Sequence, residues 1–175
     1  MTEQVKVTQQ KKSDQMNVVP KAERVHTGVK DAKALAEALS RAVADTYRLI
    51  FKTHAYHWNV EGPLFYSVHN MTDAQYNEMF PAADELAERI RSLGQLAPHS
   101  FAEVMKMSVI KDLDTLPTTQ EMIEDLAKDH EAVASGFHDL FKLAEENRDP
   151  VTSDLATRRA AFHEQAAWML RATVK

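Results

Sequence analysis

The segment "GQLAPHSFAEVMKMSVIKDLDTLP", residues 94–117, is 24 residues long and separates two stretches of strong helical periodicity. Helices in a bundle are usually joined by about two to eight residues. This connection is too long for a hairpin turn, but long enough to return along the length of a bundle. Within it, "FAEVMKMS" (101–108) has the composition of a short helix.

On either side the apolar residues recur at helical spacing. Upstream, Val29, Ala32, Ala36, Leu39, Val43 and Ile50 mark one face of a helix over about 29–58, and a second helix runs from about 63 to 93. Downstream, Thr118 and Glu121 form a capping box that opens a third helix, with Met122, Leu126, Val133, Phe137, Leu140 and Ala144 as its stripe. A fourth begins at Asp149 as cap with Pro150 in the first turn, where its missing N–H does no harm. Its expected stripe is Leu155, Phe162, Ala166 and Met169. Helices one and two, and helices three and four, are separated by a few residues, so each pair should be an antiparallel hairpin. Two hairpins and one long crossover containing a short helix predict an all-α, ferritin-like four-helix bundle over residues 26–175. Pro81 falls inside the second helix and removes the bond to the carbonyl of Asn77. The flanking residues are good helix formers, so one kinked helix is expected rather than two.

Composition narrows the chemistry. The chain has no cysteine, hence neither disulfides nor thiolate metal ligands. No stretch approaches the roughly 18 apolar residues of a membrane span, and the start lacks the apolar core of a secretory signal. A cytoplasmic protein with no membrane partner is expected. The net charge of −5 is uneven: residues 1–30 carry six basic and three acidic groups, whereas the remainder is strongly acidic. Residues 1–25 therefore read as a polar, mildly basic tail.

The chemistry-bearing residues cluster on the first hairpin, in "HWNVEGPLFYSVHNMTD" (57–73) and in "DELAE" (84–88). At about 100° per residue, His69, Asp73, Asp84 and Glu88 share one face of the second helix. Each i, i+4 pair lies within one turn, but Asp73 and Asp84 are roughly 16 Å apart along the axis. Metal–ligand bonds are near 2 Å. The two pairs therefore cannot share an ion within one chain. Two copies crossing antiparallel about a two-fold axis, near Glu78 and Met79, would bring them together, with His57 completing one side. Two imidazoles and three carboxylates suit iron, manganese or zinc. Taken singly, each residue is more commonly an ordinary polar trim of a helix; the five together on one hairpin are harder to read that way. The only Glu-x-x-His match, Glu23 to His26, precedes the first long helix, which disfavours an ordinary intrachain di-iron site.

The run "HWNVEGPLFYSVH", Asp73, the Asp84-x-x-x-Glu88-Arg89 block and "TRRAAFHEQAAWMLRA" (157–172) resemble the Dps family, the DNA-binding proteins from starved cells or mini-ferritins. The likeness covers about residues 25–173. It implies a dodecameric shell with ferroxidase centres at two-fold interfaces. There iron(II) is oxidised, typically by hydrogen peroxide, and stored as ferric mineral, which protects DNA. By position, the resemblance assigns His57, His69 and Asp73 to one subunit and Asp84 and Glu88 to its neighbour. Zinc or manganese would be competing occupants. Trp58 is then a redox-active neighbour or ordinary packing, and His54 a further ligand or a solvent-facing residue. Glu145, Glu146, Asp149 and Asp154 resemble the family's acidic pore region, or else form a solvated helix end with an Asp cap. Lys6, Lys11, Lys12 and Lys21 make the tail either a non-specific DNA-binding arm or a solubilising one. An alternative from a different class is a structural, nucleoid-compacting DNA-binding shell with little ferroxidase activity.

Overall fold

The computed structural model describes residues 25–175; the tail with Lys6, Lys11, Lys12 and Lys21 lies outside them. The described residues form five helices and no strand: α1 (Ala32–Asn59), α2 (Phe65–Ser92), α3 (Phe101–Met107), α4 (Thr119–Glu146) and α5 (Pro150–Thr173). This is the expected bundle, with α1–α2 and α4–α5 as hairpins and α3 as the short helix in the crossover, lying on α1.

Local chemistry sets the helix ends. Asp31 caps α1 by accepting the amide of Ala34, and Ser100 caps α3 through Glu103. Thr118 and Glu121 form the reciprocal capping box of α4. Gly62, at φ +88°, makes the tight turn between α1 and α2, a conformation that costs a residue without Cβ nothing. Between α4 and α5, Arg148 takes φ +58° just past the last helical turn, and Asp149 then caps α5. α2 continues through Pro81 as one helix. Both Pro81 and Asn77 are exposed, so the carbonyl that loses its partner faces solvent.

The apolar stripes of α1 and α4 bury as the periodicity predicts, and Leu35, Leu39, Leu49, Leu86, Ile123, Leu126 and Phe137 fill the core. α5 departs from its predicted stripe. Its buried face is Leu155, Ala156, Arg159, Ala160, His163, Ala166 and Leu170, whereas Met169 is exposed and Phe162 lies at the edge. A purely apolar reading misplaces this face because two of its central members are an arginine and a histidine.

His163 meets His130 of α4, and Arg159 belongs to a set of ion pairs that tie the helices together. Arg159 holds Glu78 of α2 with both terminal nitrogens. Arg89 of α2 donates to Asp149 at 2.7 Å and to Thr152 at 3.0 Å, locking the end of α2 to the start of α5. On α1, Asp45, Arg48 and Lys52 fasten the crossover. Asp45 accepts from the Ser108 hydroxyl and the Val109 amide, and Arg48 pairs with Asp112. Lys52, 3% exposed, donates to the Lys111 carbonyl, to Asp125 and to Asp129. Tyr56 also donates to Asp125, at 2.7 Å. The three α1 positions are spaced so that they share one face. The long connection is thus pinned at three points by side chains.

Candidate metal centre

The α1–α2 turn brings His57 and His69 face to face. Their rings stack with centroids 3.7 Å apart and planes 20° from parallel. The Nδ1 of His57 lies 2.9 Å from the carbonyl of His69, and the Nδ1 of His69 lies 3.0 Å from the carbonyl of His57. A carbonyl oxygen only accepts, so each ring carries its proton on Nδ1 and donates it. In the neutral rings this clasp sets the tautomer and leaves the two Nε2 lone pairs available. Orienting one imidazole nitrogen by a bond from the other is the usual way a metal-ligating histidine is held. Thr72, buried beneath, donates to the Val68 carbonyl and sits 3.4 Å from the His57 Nδ1.

Asp73 is exposed one turn along α2, and Tyr76 donates its hydroxyl to it. That bond raises the pKa of the Tyr76 hydroxyl. Asp84 and Glu88 lie further along the same helix, exposed and without a hydrogen-bond partner among the described residues. Among the described residues no three His, Asp or Glu side chains converge to hold an ion within one chain. The hairpin thus presents two separate groups of candidate ligands on one face.

That face is aromatic. Tyr47, Phe51 and Trp58 of α1 and Phe65 and Phe80 of α2 are all exposed. They are stitched together by edge contact of Tyr47 with Phe80 and by stacking of Phe65 on His69. His54 stacks on Tyr76 at 4.3 Å and lies 4.2 Å from Trp58. Trp58 is 58% exposed, so it is not packed into its own chain's core. Clustered exposed aromatic side chains are a usual feature of interaction surfaces. Glu78 is engaged by Arg159 and Met79 is wholly buried, so the outward residues at that level are Asn77 and Phe80.

The acidic cluster at the α4–α5 junction divides. Glu145, Glu146 and Asp154 are exposed, and Asp154 pairs with Arg158. Asp149 is 1% exposed and its carboxylate is occupied by Arg89 and by the amide and hydroxyl of Thr152. Burial pushes that carboxyl up, but these donors outweigh it and hold it below the usual range. Asp149 serves the α5 cap.

Residue spacing did not disclose the buried polar partners Lys52, Arg89 and Arg159, nor the pair His130 and His163. Their only trace in the sequence is a charge or imidazole at a position the helical period assigns to the inside.

Comparison with known proteins agrees with this geometry. The ferritin-like domain family matches residues 36–175. DNA protection during starvation protein 2 of Bacillus anthracis is 34% identical over 140 residues, covering 80% of this chain and 96% of that protein. The crystal structure of a Dps protein from Bacillus brevis has a TM-score of 0.79 at 29% identity, over 82% of this chain and 97% of that one. A Dps protein from Vibrio cholerae O1, described as a member of a broad superfamily of ferritin-like diiron-carboxylate proteins, matches with TM-score 0.77 and 30% identity over 82% of this chain and 91% of that one. The all-helical bundle with a single crossover and these relatives together show that the chain belongs to the Dps family of ferritin-like proteins.

Proposed function

We infer that this protein is a ferroxidase and iron store whose metal sites form only between two copies. The observation that carries the reading is the His57–His69 clasp. It aims two lone pairs outward on an exposed aromatic face, while Asp84 and Glu88 stand on that same face beyond reach of the same ion. Antiparallel pairing of two α1–α2 hairpins covers the aromatic face and places His57, His69 and Asp73 of one copy against Asp84 and Glu88 of the other. Two-fold symmetry makes two such sites.

The donor set fits iron(II) as substrate: hard carboxylates supply charge and the preset imidazoles supply direction. Zinc and manganese suit the same donors and would compete. Hydrogen peroxide takes one electron from each of two iron(II) ions, its O–O bond breaks, and both oxygens leave at the hydroxide level. This two-electron route avoids release of hydroxyl radical. The iron(III) is then stored as ferric mineral inside a closed shell, taken here as a dodecamer. Trp58, against His54, is placed to donate an electron when only one iron is bound. Glu145, Glu146 and Asp154 form the acidic approach for incoming ions. With the tail's Lys6, Lys11, Lys12 and Lys21 contacting phosphate, many copies on one shell gain by avidity. The protein then works in the bacterial cytoplasm beside the DNA it protects.

The test is anaerobic loading with iron(II), followed by peroxide or oxygen, with ferric absorbance recorded. The expected result is faster oxidation by peroxide than by oxygen, and its loss in a His57→Ala, His69→Ala, Glu88→Ala variant. Equal rates for that variant and the unaltered protein would remove the reading. For the tail, deletion of residues 1–20 should abolish retention of DNA in gels at low salt, and unchanged retention would assign DNA binding elsewhere.

A further inference from the structure

The bundle interior carries a polar layer that the interface site does not use. His130 of α4 and His163 of α5 are both wholly buried, with their Nδ1 atoms 2.8 Å apart. The Nε2 of each has no partner among the described residues. The same is true of the Thr53 hydroxyl on α1, both amide atoms of Gln75 on α2, and the Nε of Arg159. Thr53 is 0% exposed and Gln75 5%.

Helix pairing puts these groups at one level. His54 stacks on Tyr76, so the buried residues Thr53 and Gln75, one before each, lie at about the same level of the hairpin. Lys52 binds Asp129, which sets the neighbouring Thr53 and His130 at one height. Glu78 binds Arg159, and one turn inward from each, in antiparallel order, are Gln75 and His163. Each of the four long helices therefore supplies one buried polar side chain to the same cross-section.

Thr53 gives a second sign. Thr46, Thr72 and Thr157 each turn the hydroxyl back to the carbonyl four residues earlier, at 2.7, 2.7 and 2.9 Å. Thr53, on the same kind of helix, does not, and its hydroxyl has no protein partner among the described residues. A buried threonine gives up that local bond when something else accepts or donates.

We propose that this cross-section of Thr53, Gln75, His130 and His163 is an internal water-binding site. Five polar atoms of these side chains, and the Arg159 Nε as a sixth, lack partners among the described residues, and an ordered internal water makes about three hydrogen bonds, so about two molecules satisfy the layer. Two neutral imidazoles joined through Nδ1 have one Nδ1–H donor between them. One ring then ends in an Nε2–H and the other in an Nε2 lone pair, and water serves both. A metal cation does not fit. The rings face each other through the same nitrogen, Arg159 supplies positive charge nearby, and the nearby carboxylates Glu78 and Asp129 are engaged by Arg159 and Lys52. Water has a way in. Gln75 and Glu78 line a surface cleft between α2 and α5, and Phe162 at its inner wall touches the His130 and His163 rings edge-on.

A high-resolution crystal structure of the assembled protein, with anomalous data at the iron and zinc edges, tests this directly. Expected is ordered water within hydrogen-bond distance of Gln75 and of one histidine Nε2, with no anomalous signal. Thr53→Val and Gln75→Leu separate the same alternatives by thermal melting. If water bridges the layer, each lowers the melting temperature by roughly 2–6 °C, because bridging bonds are lost. In a dry layer each substitution removes an unpartnered polar group and the melting temperature rises. A dry layer in the density, an anomalous scatterer between the rings, or a rise in melting temperature for both variants would overturn the proposal.

Discussion

At the scale of single residues, the eight histidines of this chain illustrate how surroundings divide one side chain among different tasks. His57 and His69 sit at the outer edge of the hairpin and are held by each other's carbonyls. His130 and His163 lie in the centre, where burial first and the Arg159 charge second push the His130 pKa down to about 3. Burial, then His130 and Arg159, likewise pushes His163 well below its ordinary value. Both are therefore neutral in the fold at neutral pH. Below pH 6.5 the unfolded chain takes up protons on these rings and the folded chain does not, so the unfolded state binds more and stability falls with falling pH. Each histidine adds to this loss as the pH falls through that window. For His130 the loss stops near pH 3, where the folded ring also protonates. Unfolding by denaturant between pH 7 and pH 4 should show this slope. A His163→Phe variant should lose one histidine's share of it, and an unchanged slope would contradict the assignment.

At the scale of elements, the crossover is held mainly by buried charge. Burial raises the Asp129 carboxyl, and the Lys52 bond and charge oppose that rise. Asp45 behaves alike: burial raises it, while Ser108, Val109 and Arg41 pull it back. Replacing Lys52 with methionine keeps the stem's packing but leaves Asp129 and the Lys111 carbonyl without their donor. Removing one partner of a buried pair typically costs about 3–5 kcal/mol. Lys52→Met should therefore lower unfolding stability by about that amount, read by denaturant titration. The crossover amides between 108 and 112 should exchange faster with solvent, whereas those of α5 should not. The same logic explains why Arg89, adjacent to the candidate ligand Glu88, points the other way. Its guanidinium joins α2 to the α5 cap, which holds the helix that carries Asp84 and Glu88 against the rest of the bundle.

At the scale of the whole molecule, the separation of ligands into two groups predicts complementation. A His57→Ala, His69→Ala chain and an Asp84→Asn, Glu88→Gln chain should each be inactive alone. Unfolded together in equal amounts and refolded, half of the dimers pair unlike chains, and each of these contains one intact site. About one quarter of the normal sites should return, read as ferroxidase rate per iron bound. No recovery would mean that the sites are built within single chains. The aromatic face adds a spectroscopic check: Trp58 is exposed in one chain and should become shielded from quencher when two chains assemble.

The bundle was legible in the sequence because helical periodicity, capping residues and connection length are local or nearly local signals. The Thr118–Glu121 box, the Asp149–Pro150 start and the helical "FAEVMKMS" all appear in the structure where chain chemistry puts them. The candidate ligands were legible for the same reason, since spacing along one helix says which residues share a face and how far apart they stand. Pro81 was tolerated as expected, its orphaned carbonyl being on the wet side. Only tertiary structure decided the burial of Arg159 and His163 in α5, the clasp between His57 and His69, and the capture of Asp149 by Arg89. Each depends on partners 12 to 81 residues away in the chain. A polar residue on a helix interior looks like an error of pattern until the donor or acceptor from another helix is known. The chain's own order determines which groups face outward together; packing of one helix on another determines which polar groups are satisfied within.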